Sequence, residues 1–135
     1  MVVVENKWRN METYILEEDK ELLTIECNNR KIIVEGDDNE VVFTGNSPAA
    51  LISGDNNDLV FNDECRVIKV EGDGNKIIFS KDYRTIHIEG DDNDITLSGI
   101  GSSIIVDGDE NIIRYSRKKR VAITGTGEDN DFSKI

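Results

Sequence analysis

The side chains that could act as nucleophile, base or metal ligand are few in this chain, apart from its carboxylates. One histidine, His87, and two cysteines, Cys27 and Cys65, accompany 28 aspartates and glutamates. Catalysis by acid and base, or by a nucleophile, needs such groups within hydrogen-bond reach of one another. The sequence contains no P-loop, no dinucleotide-binding fingerprint and no His/Cys cluster with metal-ligand spacing. We therefore predict no catalytic residue, no metal and no cofactor.

The carboxylates concentrate around a Gly-Asp-x-Asn motif that recurs along the chain. Its glycines and asparagines keep a constant interval of 18 positions: Gly36, Gly54, Gly72, Gly90 and Gly108, with Asn39, Asn57, Asn75, Asn93 and Asn111. An atypical copy lies on each side of these five, as a stacked array requires, because its end repeats must cover the core. The sequence therefore predicts one repeat domain, with regular coils over residues 31–120.

Apolar residues alternate with polar ones in two short runs per repeat, for example Ile32 and Val34, then Val41 and Phe43. A period of two is typical of strands, and a repeat of this length suffices for two strands and two turns. We predict an all-β fold, a single-domain flattened parallel β-solenoid of about seven coils with two strands per coil. The predicted boundaries are 1–12 for an N-terminal cap or arm, 13–132 for the solenoid and 133–135 for a C-terminal tail.

Two columns of turn residues are predicted to be structural. The glycine of each motif is expected to take a positive φ, a conformation that other residues adopt only at a cost. The asparagines are expected to run side-chain amide hydrogen bonds from coil to coil, as stacked Asn ladders do. An alternative interpretation makes the Gly-Asp-x-Asn edge a row of ligands.

The charges separate by edge of the predicted solenoid. Fifteen carboxylates, opposed by Lys76 alone, flank the Gly-Asp-x-Asn edge of the five regular coils: Glu35, Asp37, Asp38, Glu40, Asp55, Asp58, Glu71, Asp73, Glu89, Asp91, Asp92, Asp94, Asp107, Asp109 and Glu110. Basic residues collect at the opposite edge: Arg30, Lys31, Arg66, Lys81, Arg84 and the run 117–120. These charges either keep the edges solvated or meet a partner.

The net charge of −12 narrows the class of partner. Nucleic acid and anionic membrane are excluded by repulsion, whereas a basic protein surface or a cation is favoured. The basic run 117–120, with one neighbouring aromatic residue, is too short for a nucleic-acid platform. The chain begins without the regions of a secretory signal and contains no apolar run long enough to span a membrane, which predicts a cytoplasmic location.

The reactive side chains are kept apart in the predicted fold. His87 faces outward on one sheet, whereas the serine column that includes Ser98 lies on the other, so no Ser-His pair is expected. Cys27 and Cys65 fall in coils two apart, about 10 Å along the stack, whereas a disulfide needs Cα atoms within about 7 Å. Both thiols are therefore expected to be free.

Apolar residues also occur at positions that face outward. Aligned exposed apolar residues form a patch, and patches mark interfaces. We predict that a partner is anchored by Val42, Val60 and Ile78 on one sheet and by Ile33 and Leu51 on the other. The predicted steering charges are Asp37, Asp38, Asp55, Asp91 and Asp92. The alternative is that the N-terminal segment around Trp8 covers the patch.

The repeats IIVEGDDNEVVF, LISGDNNDLVF, IKVEGDGNKIIF and IHIEGDDNDITL resemble those of parallel β-solenoids. In motif they are similar to a bacterial domain family of unknown function built on Gly-Ser/Asp-x-Asn-x-Val repeats, which implies the fold but no activity. The segment GDDNDITLSG is more weakly similar to calcium-binding β-roll repeats. Those repeats need such a turn at both edges of each coil, whereas the second edge here carries NSPA, DECR, KDYR, GIGS and RKKR.

The predicted function is that of a non-enzymatic, acidic protein-binding module that docks on a partner with a basic and partly apolar surface and inhibits or blocks it. In its expected mode of action, though not in sequence, it is similar to acidic phage-encoded inhibitors of host defence enzymes. This similarity implies a viral, anti-defence role. Two alternatives stay open, a calcium-binding β-roll-like module and a structural, self-assembling solenoid. The sequence is compatible with a monomer and with a small homo-oligomer.

Overall fold

The computed structural model describes residues 2–3, 8–10 and 13–135, and these form short strands joined by turns. The strands are β1 (Val2–Val3), β2 (Trp8–Asn10), β3 (Thr13–Leu16), β4 (Leu22–Glu26), β5 (Lys31–Val34), β6 (Glu40–Thr44), β7 (Ser47–Ile52), β8 (Asp58–Phe61), β9 (Cys65–Val70), β10 (Lys76–Phe79), β11 (Thr85–Ile88), β12 (Asp94–Leu97), β13 (Ser103–Val106), β14 (Ile112–Tyr115), β15 (Ala122–Gly125) and β16 (Asp131–Lys134). Within the described residues there is no helix, which confirms the all-β fold predicted from the alternation of apolar residues.

The strands form two sheets of eight strands each. Sheet A has the order β1-β4-β6-β8-β10-β12-β14-β16, and sheet B has the order β2-β3-β5-β7-β9-β11-β13-β15. From β3 to β14 the paired strands are parallel and join residues 18 positions apart, such as Val41 with Leu59 and Ile86 with Ile104. The chain therefore alternates between the sheets and climbs one coil per repeat. The predicted parallel β-solenoid of about seven coils is confirmed.

The core lies between the inward faces of the two sheets. The alternating apolar residues predicted to face inward, such as Ile32, Val34, Val41 and Phe43, are buried, and the buried series runs from Tyr14 to Ile113. In-register parallel strands place equivalent residues about 4.8 Å apart, a spacing that suits offset stacking of aromatic rings. The rings of Phe43, Phe61 and Phe79 accordingly stack with centroids 4.5 Å apart. One repeated sequence position thus produces one continuous column of core contacts.

The two ends of the solenoid differ. At the N-terminal end β1 pairs with β4 and β2 pairs with β3, so the predicted cap or arm contributes strands to both sheets. Residues 1, 4–7 and 11–12 lie outside the described residues. At the C-terminal end β16 continues through Lys134, and the N–H of Ile135 donates to the carbonyl of Tyr115 (2.8 Å). The last strand therefore extends into the stretch predicted as a tail, because those residues complete the parallel ladder with β14.

The glycine column of the Gly-Asp-x-Asn turns does not take a positive φ, and that prediction is wrong. The constraint is close approach between coils. A Cβ at Gly54 would overlap the carbonyl oxygen of Gly36, and a Cβ at Gly72 would overlap that of Gly54. Glycine is needed there because no side chain fits beneath the carbonyl of the neighbouring coil.

The left-handed residue of each turn stands two positions later. There φ lies between 56° and 67° in seven successive turns: Lys20, Asp38, Asn56, Gly74, Asp92, Glu110 and Asp129. Aspartate and asparagine adopt this conformation more readily than most residues, because their short polar side chains form hydrogen bonds with nearby backbone groups. The backbone at this position also bonds between coils, as where the Asp38 N–H donates to the Asp55 carbonyl (3.0 Å). The turn therefore separates two requirements, a missing side chain at one position and a left-handed backbone at another.

Replacing the two glycines of one turn should separate these requirements. Gly72→Ala should lower the free energy of unfolding by about 1–3 kcal/mol, because the added Cβ forces two coils apart. Gly74→Asp should change it by less than about 1 kcal/mol, because Asp38 and Asp92 already hold the equivalent left-handed position. Urea unfolding followed by circular dichroism measures both values, and a larger loss for Gly74→Asp than for Gly72→Ala would contradict this account.

Candidate functional site

The Gly-Asp-x-Asn edge is the most charged surface of the molecule, and its innermost part is a buried asparagine column. The side chain of Asn57 accepts a hydrogen bond from the Asn39 N–H (2.9 Å) and donates one to the Gly36 carbonyl (2.9 Å). The same two bonds recur in the following coils, at Asn75, Asn93 and Asn111. The predicted coil-to-coil ladder is present, although each amide bonds to backbone groups of the preceding coil rather than to another amide.

A second ladder, outside the first, uses the aspartate that follows each glycine. Oδ1 of Asp37 accepts a hydrogen bond from the Asp55 N–H (2.8 Å). Oδ1 of Asp55 accepts one from Asp73 (2.9 Å), and the ladder continues through Asp91. Three of the five predicted steering charges, Asp37, Asp55 and Asp91, are therefore also structural acceptors. The other two, Asp38 and Asp92, are exposed in the left-handed column.

Negative charge is crowded along this edge. Equivalent positions in successive coils are about 4.8 Å apart, so carboxylates in one column repel each other. The charge of Asp92 and a hydrogen bond with its carboxylate raise the pKa of Glu110 above its ordinary value, and Asp129 and Asp109 add to the effect. A cationic surface placed against the edge would relieve this repulsion.

The five predicted anchors are half-buried and face outward on two different sheets, as expected. Val42, Val60 and Ile78 stand side by side on sheet A in the β6–β8 and β8–β10 registers. Ile33 and Leu51 are paired on sheet B between β5 and β7. The outer faces of two sheets that enclose one core point in opposite directions. The anchors, which the sequence already assigned to two sheets, therefore form two patches on opposite faces.

The polar surroundings of the two patches also differ. On sheet A the exposed carboxylates Glu40 and Asp58 stand two positions before Val42 and Val60 on the same strands, toward the acidic edge. On sheet B the outward column Ile15–Ile33–Leu51 continues with Lys69 and His87, and the exposed Glu35 stands two positions after Ile33, toward the same acidic edge. Both patches therefore border the acidic edge, and they differ in the residues that continue each column.

The N-terminal segment, expected as an alternative cover for these residues, contributes β2 at the edge of sheet B. There Trp8 is the register partner of Tyr14 in an antiparallel pair. This pairing extends the sheet in its own plane and does not place β2 across its outer face. The remaining residues of the segment lie outside the described residues.

The partners of His87 were missed by the sequence analysis. Its Nε2 lies 2.7 Å from Oδ2 of Asp107 and 3.6 Å from Oε1 of Glu89. The hydrogen bond with His87, together with one from the Thr126 N–H, lowers the pKa of Asp107. Asp107 follows His87 by two positions more than one repeat. A search for charged residues at that interval would have found this contact with the next coil. The serine column follows the strands of sheet A, as predicted, so it does not meet His87.

Cys27 and Cys65 are free, as predicted, and both are buried near the second edge. Burial raises the pKa of each thiol to about 12, with the charge of Asp63 adding to the effect at Cys27. Because the thiolate is the reactive form of cysteine, these thiols are unreactive at neutral pH. They contribute to packing and not to a nucleophilic site.

The second edge carries the predicted positive charge. Arg66, Lys81, Arg84 and residues 117–120 are exposed there. Asp63, Glu64 and Asp82 also stand at this edge, so its charge is mixed but net positive, whereas the Gly-Asp-x-Asn edge is acidic. In the part of the chain that the structure describes, no group of three or more His, Cys, Asp and Glu residues is arranged to hold a metal ion.

Comparison with known proteins gives one similarity. A family model described as a protein of unknown function (DUF3060) matches residues 52–96, which span β8 to β12 with three of the Gly-Asp-x-Asn turns. This match to a third of the chain is consistent with the resemblance to repeat domains of unknown function, and it assigns no activity. No curated protein and no solved structure matches the chain. Among the described residues, no helix is long and apolar enough to cross a membrane.

The two ladders should differ in their contribution to stability. Asn75→Ala leaves the Asn57 N–H and the Gly54 carbonyl without partners in a buried turn, and should lower the free energy of unfolding by at least about 2 kcal/mol. Asp73→Ala removes a bond to the Asp91 N–H at an exposed position, where water replaces it, and should cost less than about 1 kcal/mol. Urea denaturation of both variants tests this order, and equal losses would argue against it.

The repulsion at the acidic edge should appear in the pH dependence of one variant. Glu110→Gln should raise the midpoint of thermal unfolding at neutral pH, because it removes the repulsion from Asp92. The pKa of Glu110 is raised in the folded state, so its ionised carboxylate lowers the stability of the fold above that pKa. This loss of stability disappears as the carboxyl takes up a proton. The difference from wild type should vanish below about pH 4 and shrink in high salt. Identical midpoints at neutral pH in low salt would exclude this repulsion.

Proposed function

We propose that this protein is a non-enzymatic protein-binding module that docks through the outer face of sheet A and the adjacent acidic edge. The observation that carries this proposal is the column Val42–Val60–Ile78, three half-exposed apolar side chains in direct register. The fold does not require apolar residues there, because the same column continues with Thr96 and Arg114 in the next two coils. Aligned apolar side chains bordered by charge are typical of interfaces.

The carboxylates beside this column define the chemistry of the partner. Glu40 and Asp58 are exposed on the same strands and lead into the acidic edge, where Asp38 and Asp92 are also exposed. A partner surface with apolar side chains next to lysines or arginines would bury the column and neutralise these carboxylates. The crowded charge would also accelerate encounter, since long-range attraction acts before contact.

Binding of this kind would act by occlusion. The core and the two turn ladders hold the surface rigid, so little conformational entropy is lost on binding. A rigid acidic surface on the basic surface of an enzyme would block access of an anionic substrate or activator. The most specific form of this hypothesis is a viral inhibitor of a host defence enzyme that acts in the cytoplasm.

Calcium binding at the acidic edge is the hypothesis from another class. Calcium binds several oxygen ligands at once, for which stacked carboxylates are suitable. One oxygen of Asp37, Asp55 and Asp73 is already an acceptor for a backbone N–H, which reduces the oxygens that the ladder can offer. Calcium binding therefore stays a prediction, and the binding experiment below includes calcium and chelator arms to separate it from docking.

The docking face can be tested with variants that the fold already accommodates. Thr24 and Thr96 occupy the same outward column as the anchors, so Val42→Thr, Val60→Thr and Ile78→Thr combined should fold normally. This variant should lose partner affinity by at least about 10-fold, because the apolar contact area is removed. Affinity capture from host extract with mass spectrometry identifies the partner, and calorimetry with the purified partner measures Kd.

The matched control is the pair Ile33→Thr and Leu51→Thr on sheet B, which should leave affinity within about threefold of wild type. If the control variant loses binding and the sheet A variant keeps it, the docking face is on the other sheet. If both folded variants bind as wild type does, the apolar columns are not anchors and the proposal fails. Binding that appears only with calcium and disappears with chelator would favour the cation hypothesis.

A further inference from the structure

The outer face of sheet B carries an apolar column between two rows of opposite charge. The column consists of Ile15, Ile33 and Leu51, which are half-buried and stand side by side in the β3–β5 and β5–β7 registers. Toward the acidic edge, three strands of this sheet are followed by exposed glutamates: Glu35, Glu71 and Glu89. Toward the second edge, exposed basic residues lie at the start of the same three strands: Lys31, Arg66 and Arg84. Each of these strands therefore runs from a cation to a carboxylate.

The apolar column of sheet A is flanked differently. Toward the second edge, the strands of its first two anchors lead into Thr44 and Gly45 and into Asn62 and Asp63, and none of these four residues is basic. Lys81 follows the strand of the third anchor. A second copy of the chain laid on sheet A would therefore bring its carboxylates against mostly uncharged residues. Sheet B is the face whose charges complement those of its own copy.

We propose that the outer face of sheet B is a homodimer interface, in which two copies pack face to face about a two-fold axis parallel to the stack of coils. This axis keeps each coil level with the same coil of the second copy and reverses the direction of its strands. The cations of each copy then face the carboxylates of the other, so that Lys31 meets Glu35 and Arg84 meets Glu89. A two-fold axis along the strands would place carboxylates against carboxylates, and charge therefore selects the first arrangement.

The central column fits this axis. Because the axis runs along the column, each of its residues meets its own copy, and the three apolar side chains form one continuous contact. Lys69 and His87 continue the column and would also meet their own copies, but each already has a carboxylate beside it. The Lys69 ammonium lies 3.5 Å from Oε1 of Glu89, and Nε2 of His87 lies 2.7 Å from Oδ2 of Asp107. The next residue of the column, Ile105, is again apolar and half-buried.

The face is large enough for a specific dimer. About seven coils at about 4.8 Å, with about five residues of about 3.3 Å across, give a face of about 34 by 16 Å. Two such faces would bury about 1,100 Å² in total, slightly above the area of about 1,000 Å² that a specific interface needs. The docking face on sheet A stays uncovered, so the dimer would present two docking faces in opposite directions. The inference goes beyond the proposed function, and either can fail without the other.

Added charge in the column tests which face is used. Ile33→Lys with Leu51→Lys should weaken dimerisation by at least about 10-fold, because it removes apolar contact and brings like charges together. The fold accepts a lysine in this column at Lys69. The matched control, Val42→Lys with Val60→Lys, adds the same charge to sheet A and should leave the dimer Kd within about threefold of wild type. Sedimentation velocity and light scattering over a range of concentrations measure each Kd.

Exchange of one charge pair tests the axis. Lys31→Glu alone and Glu35→Lys alone should each weaken dimerisation by at least about 10-fold, because both symmetry-related contacts become repulsive. The chain with both changes should dimerise within about threefold of wild type, and so should an equimolar mixture of the two single variants. In both cases unlike charges face each other again. Net charge alone predicts the opposite for Glu35→Lys, which would strengthen association of this acidic protein.

Circular dichroism and the unfolding midpoint verify that each variant is folded. If the sheet B lysine variant does not fold, Ile33→Thr with Leu51→Thr replaces it. The proposal is overturned if wild type stays monomeric up to about 1 mM, the Kd of a weak complex, because the face is then free or covered by another segment. A dimer that the sheet B change leaves intact, or that the sheet A change abolishes, overturns it as well. A dimer that Glu35→Lys strengthens excludes the axis.

Discussion

One backbone carbonyl in each coil organises the rest of this structure. The carbonyl of Gly36 accepts a hydrogen bond from the side-chain amide of Asn57 in the next coil. The same oxygen leaves no space for a Cβ at Gly54. The glycine and the asparagine of one motif thus serve the same contact. The glycine leaves room for the carbonyl of the neighbouring coil, and the asparagine donates a hydrogen bond to it. Because the approach recurs in each regular coil, it keeps the coils in register. That register in turn aligns the core columns, the phenylalanine stack and the outward columns.

Most of the fold could be predicted because it depends on the 18-residue repeat, which is visible in a single sequence. The alternation around Ile32 and Val41 indicated the strands and their facing, and the constant interval between the motifs indicated the coils. The reason for the glycines could not be predicted in the same way, since positive φ and close approach both select glycine. The identity of the left-handed position was readable in principle, because Asp38, Asn56 and Asp92 are residue types that favour it.

The residues of the candidate site and their sheets were predictable from the sequence, but they do not form one surface. Alternation along each strand places Val60 and Leu51 outward on different sheets, and the outer faces of two sheets around one core point in opposite directions. The contact between His87 and Asp107 runs diagonally between coils, which comparison of equivalent positions does not include. Residue type also does not distinguish a surface charge from an acceptor for the backbone, and Asp37 and Asp55 are both.

The left-handed column separates what the scaffold needs from what its surface displays. Lysine, aspartate, asparagine, glycine and glutamate all occupy this position, from Lys20 to Asp129, with nearly the same φ. The coil-to-coil bonds at these positions involve the backbone and do not depend on the side chain. The column is thus a row of interchangeable sites about 4.8 Å apart. Through such a row, evolution could alter the charge pattern of this edge one residue at a time, with surface chemistry and fold stability under separate selection.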